Sequence, residues 1–353
     1  MLGSESINGE GLKSYHLGDG VVNLQVTGNE FESIFPVWDW QKLPGITYVQ
    51  NHQDVPRIEG YEGFRGKTSF VGGISDGMYG MAFMDYKKDS VVAHKAWFCF
   101  DKEIVCLGSN IISQRSLPLY TSVNQCLLNG DVYVKSSGIR LLHEGDTVIE
   151  HVNWIHHNRV LYLFPETNTA EILNKFRTGS WHDINEGGNA SSMFLKVFGL
   201  YIEHEKNTVP ANYYYIIVPG VNFSNADSTV KSNPIQVIQN NVSVQAVYHK
   251  ELKISLVAFY QPANIELNKP LKLGVDKSCL LMLHEEKGMM RLYISNPENK
   301  GGIVNVAISL KLSGKGCKWN EKTKQTIVSV NLPTGREAGS TVATILKYGV
   351  GEK

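Results

Sequence analysis

What the 353-residue chain lacks narrows its chemistry first. No Walker loop, GxGxxG or HExxH occurs, so nucleotide phosphates, dinucleotides and a helix-borne zinc site have no template. Charge of one sign is missing too: 34 Lys and Arg face 34 Asp and Glu. A neutral chain has no long-range field to gather nucleic acid or anionic lipid, and a polyanion can bind only at a local cluster of cations. Five cysteines, at 99, 106, 126, 279 and 317, are odd in number and lack CxxC spacing, which argues against a zinc cage or a disulfide framework. They read as small buried hydrophobes. No apolar run is long enough to span a bilayer, and no basic segment followed by an apolar one opens the chain.

Sustained helical periodicity is also scarce; TAEILNKF (169–176) offers two turns at most. What is present is alternation of period two. VVNLQVTG (21–28), SVVAHKAWFCF (90–100), EIVCLGSNI (103–111), NRVLYLF (158–164), SMFLKVFGLYIEH (192–204), NYYYIIVPG (212–220) and PIQVIQNN (234–241) read as strands bounded by Gly, Asn, Asp or Pro. With 16 Tyr, 13 Phe and 6 Trp to pack on pleated surfaces, the fold class is all-β: a large antiparallel supersandwich followed by a small C-terminal β-sandwich domain. QPANIELNKPLKL (261–273) interrupts the strands with Pro, Asn and charge. It divides the chain into a domain over 1–262 and a second over 265–353.

Three groups of residues could carry chemistry. Glu5, Asn8 and Glu10 set two carboxylates and an amide in one N-terminal loop, able to orient a base, neutralise a substrate carboxylate or hold a metal, or simply to be solvated. In the aromatic cluster FPVWDW (35–40), an extended backbone puts Trp38 and Trp40 on one face and Asp39 on the other. That is either a sugar platform with a ligating acid, or a packed aromatic corner whose Asp39 caps a turn. Of the eleven histidines, His151, His156 and His157 crowd around Trp154, a poor metal spacing and a good one for hydrogen-bonded core imidazoles.

Several segments together carry a resemblance: ESINGEGLKSYHLGDG (5–20), FPVWDWQKLPGIT (35–47), AHKAWFCFDKEIVCLGSNI (93–111), TGSWHDIN (178–185) and FGLYIEHEKNTVPANYYYIIVPG (198–220). In order and spacing they resemble the β portion of family-eight polysaccharide lyases, the chondroitin AC, hyaluronate and xanthan lyase group. The resemblance implies a central supersandwich and a small C-terminal β domain, preceded in the family by an α/α toroid that these 353 residues do not match. It implies that the catalytic Asn, His, Tyr and Arg sit on that toroid. Glu5, opening the ESxN motif, would support the toroid's Arg and His, and Asn8 would contact substrate; Glu10 matches the acid of the following run. Where the family writes NGENLKG this chain has NGEGLKS, so Gly11 and Ser14 replace an amide and a glycine.

Some chondroitin lyases hold calcium near the matching PVWEWxK region. Asp39 matches one of the acids, while Gln41 and Gln50 stand where other acids are expected. The reaction the resemblance implies is β-elimination: a base removes the proton α to a uronate carboxylate and the 4-O glycosidic bond leaves. Since that carboxylate is already charged, neutralising it is the central task. The partners implied are an acidic polysaccharide and the toroid of the same full-length enzyme, with no nucleic acid and no membrane, and the implied localisation is secreted or periplasmic. The alternative is a non-catalytic carbohydrate-binding or scaffold module that keeps the sandwich. On either reading the 353-residue chain by itself is expected to be inactive.

Overall fold

A computed structural model describes residues 3–4, 9–51, 54–56, 64–205, 209–268 and 271–349. Two compact units account for the chain: Met1–Thr68 with Tyr86–Ala93 and Ile111–Lys231, and Ser69–Asp85 with His94–Asn110 and Ser232–Lys353. The strands Gly80–Lys88, Val91–Cys99 and Ile104–Ser113 contribute residues to both.

In the first unit the long strand Val160–Gly179 organises an antiparallel sheet. On one side it pairs with Gly145–His157, which pairs in turn with Val132–Lys135 and then Ile139–Leu141. On the other side its first residues pair with Ala211–Pro219 and its last ten with Met193–His204. Met193–His204 continues to Leu119–Leu127 and that strand to Thr47–Val49. Burial explains the strands: Trp154, Leu161, Ile172, Val197, Leu200 and Tyr201 are buried to within 2%, and the adjacent pair Leu200 and Tyr201 shows both faces of Met193–His204 covered there. Each such side chain contributes on the order of 1.5–3 kcal/mol by leaving water.

Two sequence expectations fail here. TAEILNKF lies wholly inside Val160–Gly179 and is strand, because pairing on both sides outweighs its two-turn helical spacing. VVNLQVTG alternates, yet forms no strand. The amides of Val26, Thr27 and Gly28 are taken by the Glu30 carboxylate at 2.7–2.9 Å and that of Val22 by Pro44 O at 2.9 Å, which withdraws half of the segment's donors from a ladder. The bonds to Glu30 outweigh burial and hold it down to about 2.

In the second unit a seven-stranded sheet runs Ile235–Asn240, Val244–His249, Ile254–Phe259, Cys279–Glu286, Met289–Ser295, Val342–Tyr348, Leu312–Ser313. A five-stranded sheet runs Ala263–Asn268, Leu271–Val275, Gly302–Ile308, Gln325–Leu332, Cys317–Asn320. Phe259, Leu281, Leu292, Val306 and Val328 meet in the core between them. The stretch at 261–273 is therefore no interruption: Ala263–Asn268 alternates inward Ile265 and Leu267 with outward polar residues and pairs with Leu271–Val275. The strands at 235–259 join those at 279–295 in one sheet.

Candidate functional site

Three of the sequence segments that carry the resemblance meet in the first unit. The single-turn helix Phe35–Val37 ends at Trp38, which turns to extended backbone. Trp38 is buried and donates from Nε1 to Gln125 O at 3.1 Å, while Trp40 donates to Phe35 O at 3.1 Å. Phe35, Trp38 and Trp40 pack edge-on or tilted with centroids 4.9–5.9 Å apart. Buried Gln125 clamps the corner, accepting from Asp39 N at 2.7 Å and donating to Asp39 O and Lys42 O. Asp39 Oδ1 accepts from Gln41 N at 3.0 Å, closing a tight turn. The packed-corner reading of Trp38 and Asp39 holds.

From the strand side, Arg177 Nε donates to Val37 O at 2.9 Å and Nη1 stands 3.9 Å from Asp39 Oδ2. Two positions on, a Cβ on Gly179 would lie 1.8 Å from Pro36 O, so only glycine admits this approach. The segment after it, Trp181–Asp183, is capped by Ser180 and Asp183, and it binds the N-terminal arm: Leu12 N donates to Ile184 O at 3.0 Å and Glu186 N to Gly9 O at 2.7 Å.

These elements enclose a cleft of about 340 Å³ lined by Lys13, Trp40, Lys42, Asn51 and Arg177 together with Asp39. Lys42 Nζ sits 4.5 Å and 4.7 Å above the Tyr201 and Tyr120 rings and 3.7 Å from Glu171. Lys13 faces Asp54 at 3.3 Å. Among the described residues no His, Cys or Tyr lines the cleft. Each of its three cations faces a carboxylate, so it offers paired charges, amides and an indole edge, which suit hydrogen bonding to a hydroxyl-rich ligand. Sequence reasoning missed Lys13 and Lys42, which lie in turns, and Arg177, whose lone cation on an alternating strand reads as a solvated face.

The arm itself rests on a buried polar network, also missed, although YHLGDG (15–20) spells half of it. His16 Nδ1 and Asp19 Oδ2 lie 2.6 Å apart, and Lys88 Nζ donates to both Asp19 oxygens and to Tyr15 O. Tyr15 and Tyr48 each donate to Asp89 Oδ2 at 2.6 Å. Burial pushes Asp89 up, but the two phenol bonds outweigh it and its pKa falls below the usual carboxylate range.

Glu5 and Asn8 lie outside the described residues. Glu10 is exposed, five residues before this network begins at Tyr15. His156 Nε2 lies 2.8 Å from Val221 O, and His157 accepts from Asn129 N, so both are core imidazoles; His151 is exposed. One spelling of a nucleophile elbow, Gly73-Ile-Ser-Asp-Gly77, falls on a hairpin: Ser75 Oγ donates to Tyr79 O and a strand, not a helix, follows.

Among the described residues no three His, Cys, Asp or Glu side chains gather as metal ligands. At Asp39 the donor set does not fit calcium. One carboxylate faces a guanidinium, and Gln41 and Asn51 are bonded to each other, Nε2 to Oδ1 at 2.7 Å and Asn51 N to Gln41 Oε1 at 3.2 Å. Among the described residues no helix is long and apolar enough to cross a membrane.

The sequence pattern of the polysaccharide lyase family 8 super-sandwich domain matches residues 1–230, and that of the family's C-terminal beta-sandwich domain matches 236–305. The chain is 32% identical to Chondroitinase-AC of Pedobacter heparinus over 340 residues, covering 96% of this chain and 47% of that protein. Identity to a Hyaluronate lyase of Thermasporomyces composti is 26% (86% and 39% covered), and to a Xanthan lyase of a Bacillus species 30% (70% and 28%). A solved chondroitinase AC lyase superposes with a TM-score of 0.88 at 32% identity over 97% of this chain and 49% of that one. The chain thus spans about half or less of the length of these relatives. With both β domains matched in order, the chain belongs to polysaccharide lyase family 8.

Proposed function

We propose that this chain is the β portion of a lyase that cleaves a uronic-acid-containing, glycosaminoglycan-like polysaccharide by β-elimination, at a cleft it shares with an α/α toroid. The observation that carries the reading is the match to both β domains of one lyase family, with 32% identity to a chondroitinase across nearly the whole chain. In the reaction a base on the toroid takes the proton α to the carboxylate, electrons form the C4–C5 double bond, and the 4-O glycosidic oxygen leaves with a proton. Glu5 fixes the Arg and His that neutralise the carboxylate, and Asn8 touches the sugar. Neither residue transfers the proton. Secretion or periplasmic export follows from the size of such a substrate.

The test is the ultraviolet absorbance of the unsaturated uronate product on chondroitin or hyaluronan. The 353-residue chain alone gives none; a protein joining it to an α/α toroid gives turnover, and Glu5→Ala there lowers kcat by about 10²-fold with folding kept. Turnover by the isolated chain, or a wild-type rate in Glu5→Ala, defeats the assignment. Polysaccharide binding without elimination in the joined protein favours the non-catalytic module.

A further inference from the structure

The cleft at Asp39 poses a problem of charge. Its loop, Trp38–Lys42, and the return segment at Gln50–Asn51 both bring oxygen-bearing side chains to one point. Yet only Asp39 among them is a carboxylate, and it is held from both sides by protein donors. Gln41 N occupies Oδ1, and the Arg177 guanidinium faces Oδ2. The two loop segments are then tied by amides. Gln41 and Asn51 exchange two bonds, and Gln50 Nε2 reaches Gln41 O at 3.2 Å and Tyr48 O at 3.3 Å. Gln41 is only 8% exposed, so these bonds are made where losing them would strand polar atoms.

We propose that Arg177 and the Gln41–Gln50–Asn51 amide clasp form a built-in, metal-free replacement for a divalent cation: the guanidinium supplies the positive charge and the amides supply the cross-links. A divalent ion brought to Asp39 would have to displace or repel Arg177; the other described carboxylate lining the cleft, Asp54, faces Lys13 at 3.3 Å, and two carboxylates each opposite a cation fall short of the six to eight mostly hard ligands calcium takes. Arg177 is anchored against such displacement by its Nε bond to Val37 O and by the close approach of Gly179 to Pro36. The inference concerns the fold of this cleft and does not rest on the lyase reading, so an inactive protein leaves it intact.

The experiment titrates calcium chloride into the EDTA-treated 353-residue chain and reads intrinsic fluorescence, to which Trp38 and Trp40 beside Asp39 contribute, together with the melting temperature. Neither changes in the wild-type chain, and Arg177→Met lowers the melting temperature by about 2–4 °C, calcium absent. The Gln41→Asp/Gln50→Asp/Arg177→Met variant restores the carboxylates, and millimolar calcium raises its melting temperature. A saturable calcium response in the wild-type chain that Asp39→Asn abolishes overturns the proposal, whether or not the triple variant folds. So does an Arg177→Met chain that melts with the wild type.

Discussion

Lys88 Nζ lies 3.0 Å from each carboxylate oxygen of Asp19, with both side chains at most 5% exposed. Burial pulls the Lys88 pKa down and Asp19 opposes the fall. The ammonium also lies 3.7 Å from the Tyr15 ring centroid and 4.3 Å from that of Phe64, so its contacts are all made inside the first unit. Removing Lys88 takes the cation from the buried Asp19 carboxylate, which keeps His16 at 2.6 Å and Tyr86 at 3.3 Å, and removing Asp19 takes the carboxylate from a buried ammonium. Lys88→Met should cost on the order of 3–5 kcal/mol, whereas Lys88→Met with Asp19→Leu should recover much of that loss. Chemical denaturation of the three chains decides it; equal stability of single and double variants would dissolve the pair.

Stability should fall steadily as the solution is acidified from pH 6.5. Burial lowers His157 to about 3 and His204 to about 4, and it also lowers His16. In the unfolded chain these imidazoles take up protons near 6.5, while the folded ones stay neutral until far lower pH. Between those values the unfolded state therefore binds more protons, and His157 and His204 each remove about 2 kcal/mol by pH 5. Melting curves at intervals of pH should slope downward through this window. His204→Gln, which can keep the contact to Thr121 Oγ1 seen at 2.7 Å, should flatten the slope.

Gly179→Ala should disturb the aromatic corner. Its new methyl would overlap Pro36 O, and the backbone must yield because neither group is a flexible side-chain end. Overpacking of this kind costs about 1–3 kcal/mol. A shifted tryptophan emission alongside a lower melting temperature is the expected pair of readings.

The strands were legible wherever a face is buried, since alternation reports burial. Met193–His204 and Ala211–Pro219 fall within a residue or two of the patterned segments. Where pairing decides the outcome, pattern misleads. At 169–176 one sequence satisfies both periods, and neighbours on both edges choose the strand. At 21–28 alternation is present, but a single carboxylate takes the amides of Val26, Thr27 and Gly28. The site was half visible. Asp39 and the tryptophans stand together in the chain, but Arg177 reaches them from about 140 residues away, a distance no local pattern encodes. The six-residue helix Ala226–Lys231 was too short to leave a periodic signal.

The N-terminal arm is held at Gly9–Leu12 by the turn at 180–186, so weakening that turn should loosen the arm. Ser180 and Asp183 form a reciprocal cap: Asp183 Oδ2 accepts from Ser180 N at 2.9 Å and from Ser180 Oγ at 2.8 Å, and Asp183 N donates back to Ser180 Oγ. Those bonds hold the Asp183 carboxyl below its ordinary range. Ser180→Ala removes the hydroxyl and should cost about 1 kcal/mol locally. Hydrogen exchange at the Leu12 and Glu186 amides, which cross between arm and turn, should then run about fivefold faster, while core amides such as those of Leu200 and Tyr201 stay as slow as before. Uniform acceleration across the unit would mean that the cap supports the whole fold instead of the arm, and unchanged exchange at Leu12 would mean that the arm is anchored without it.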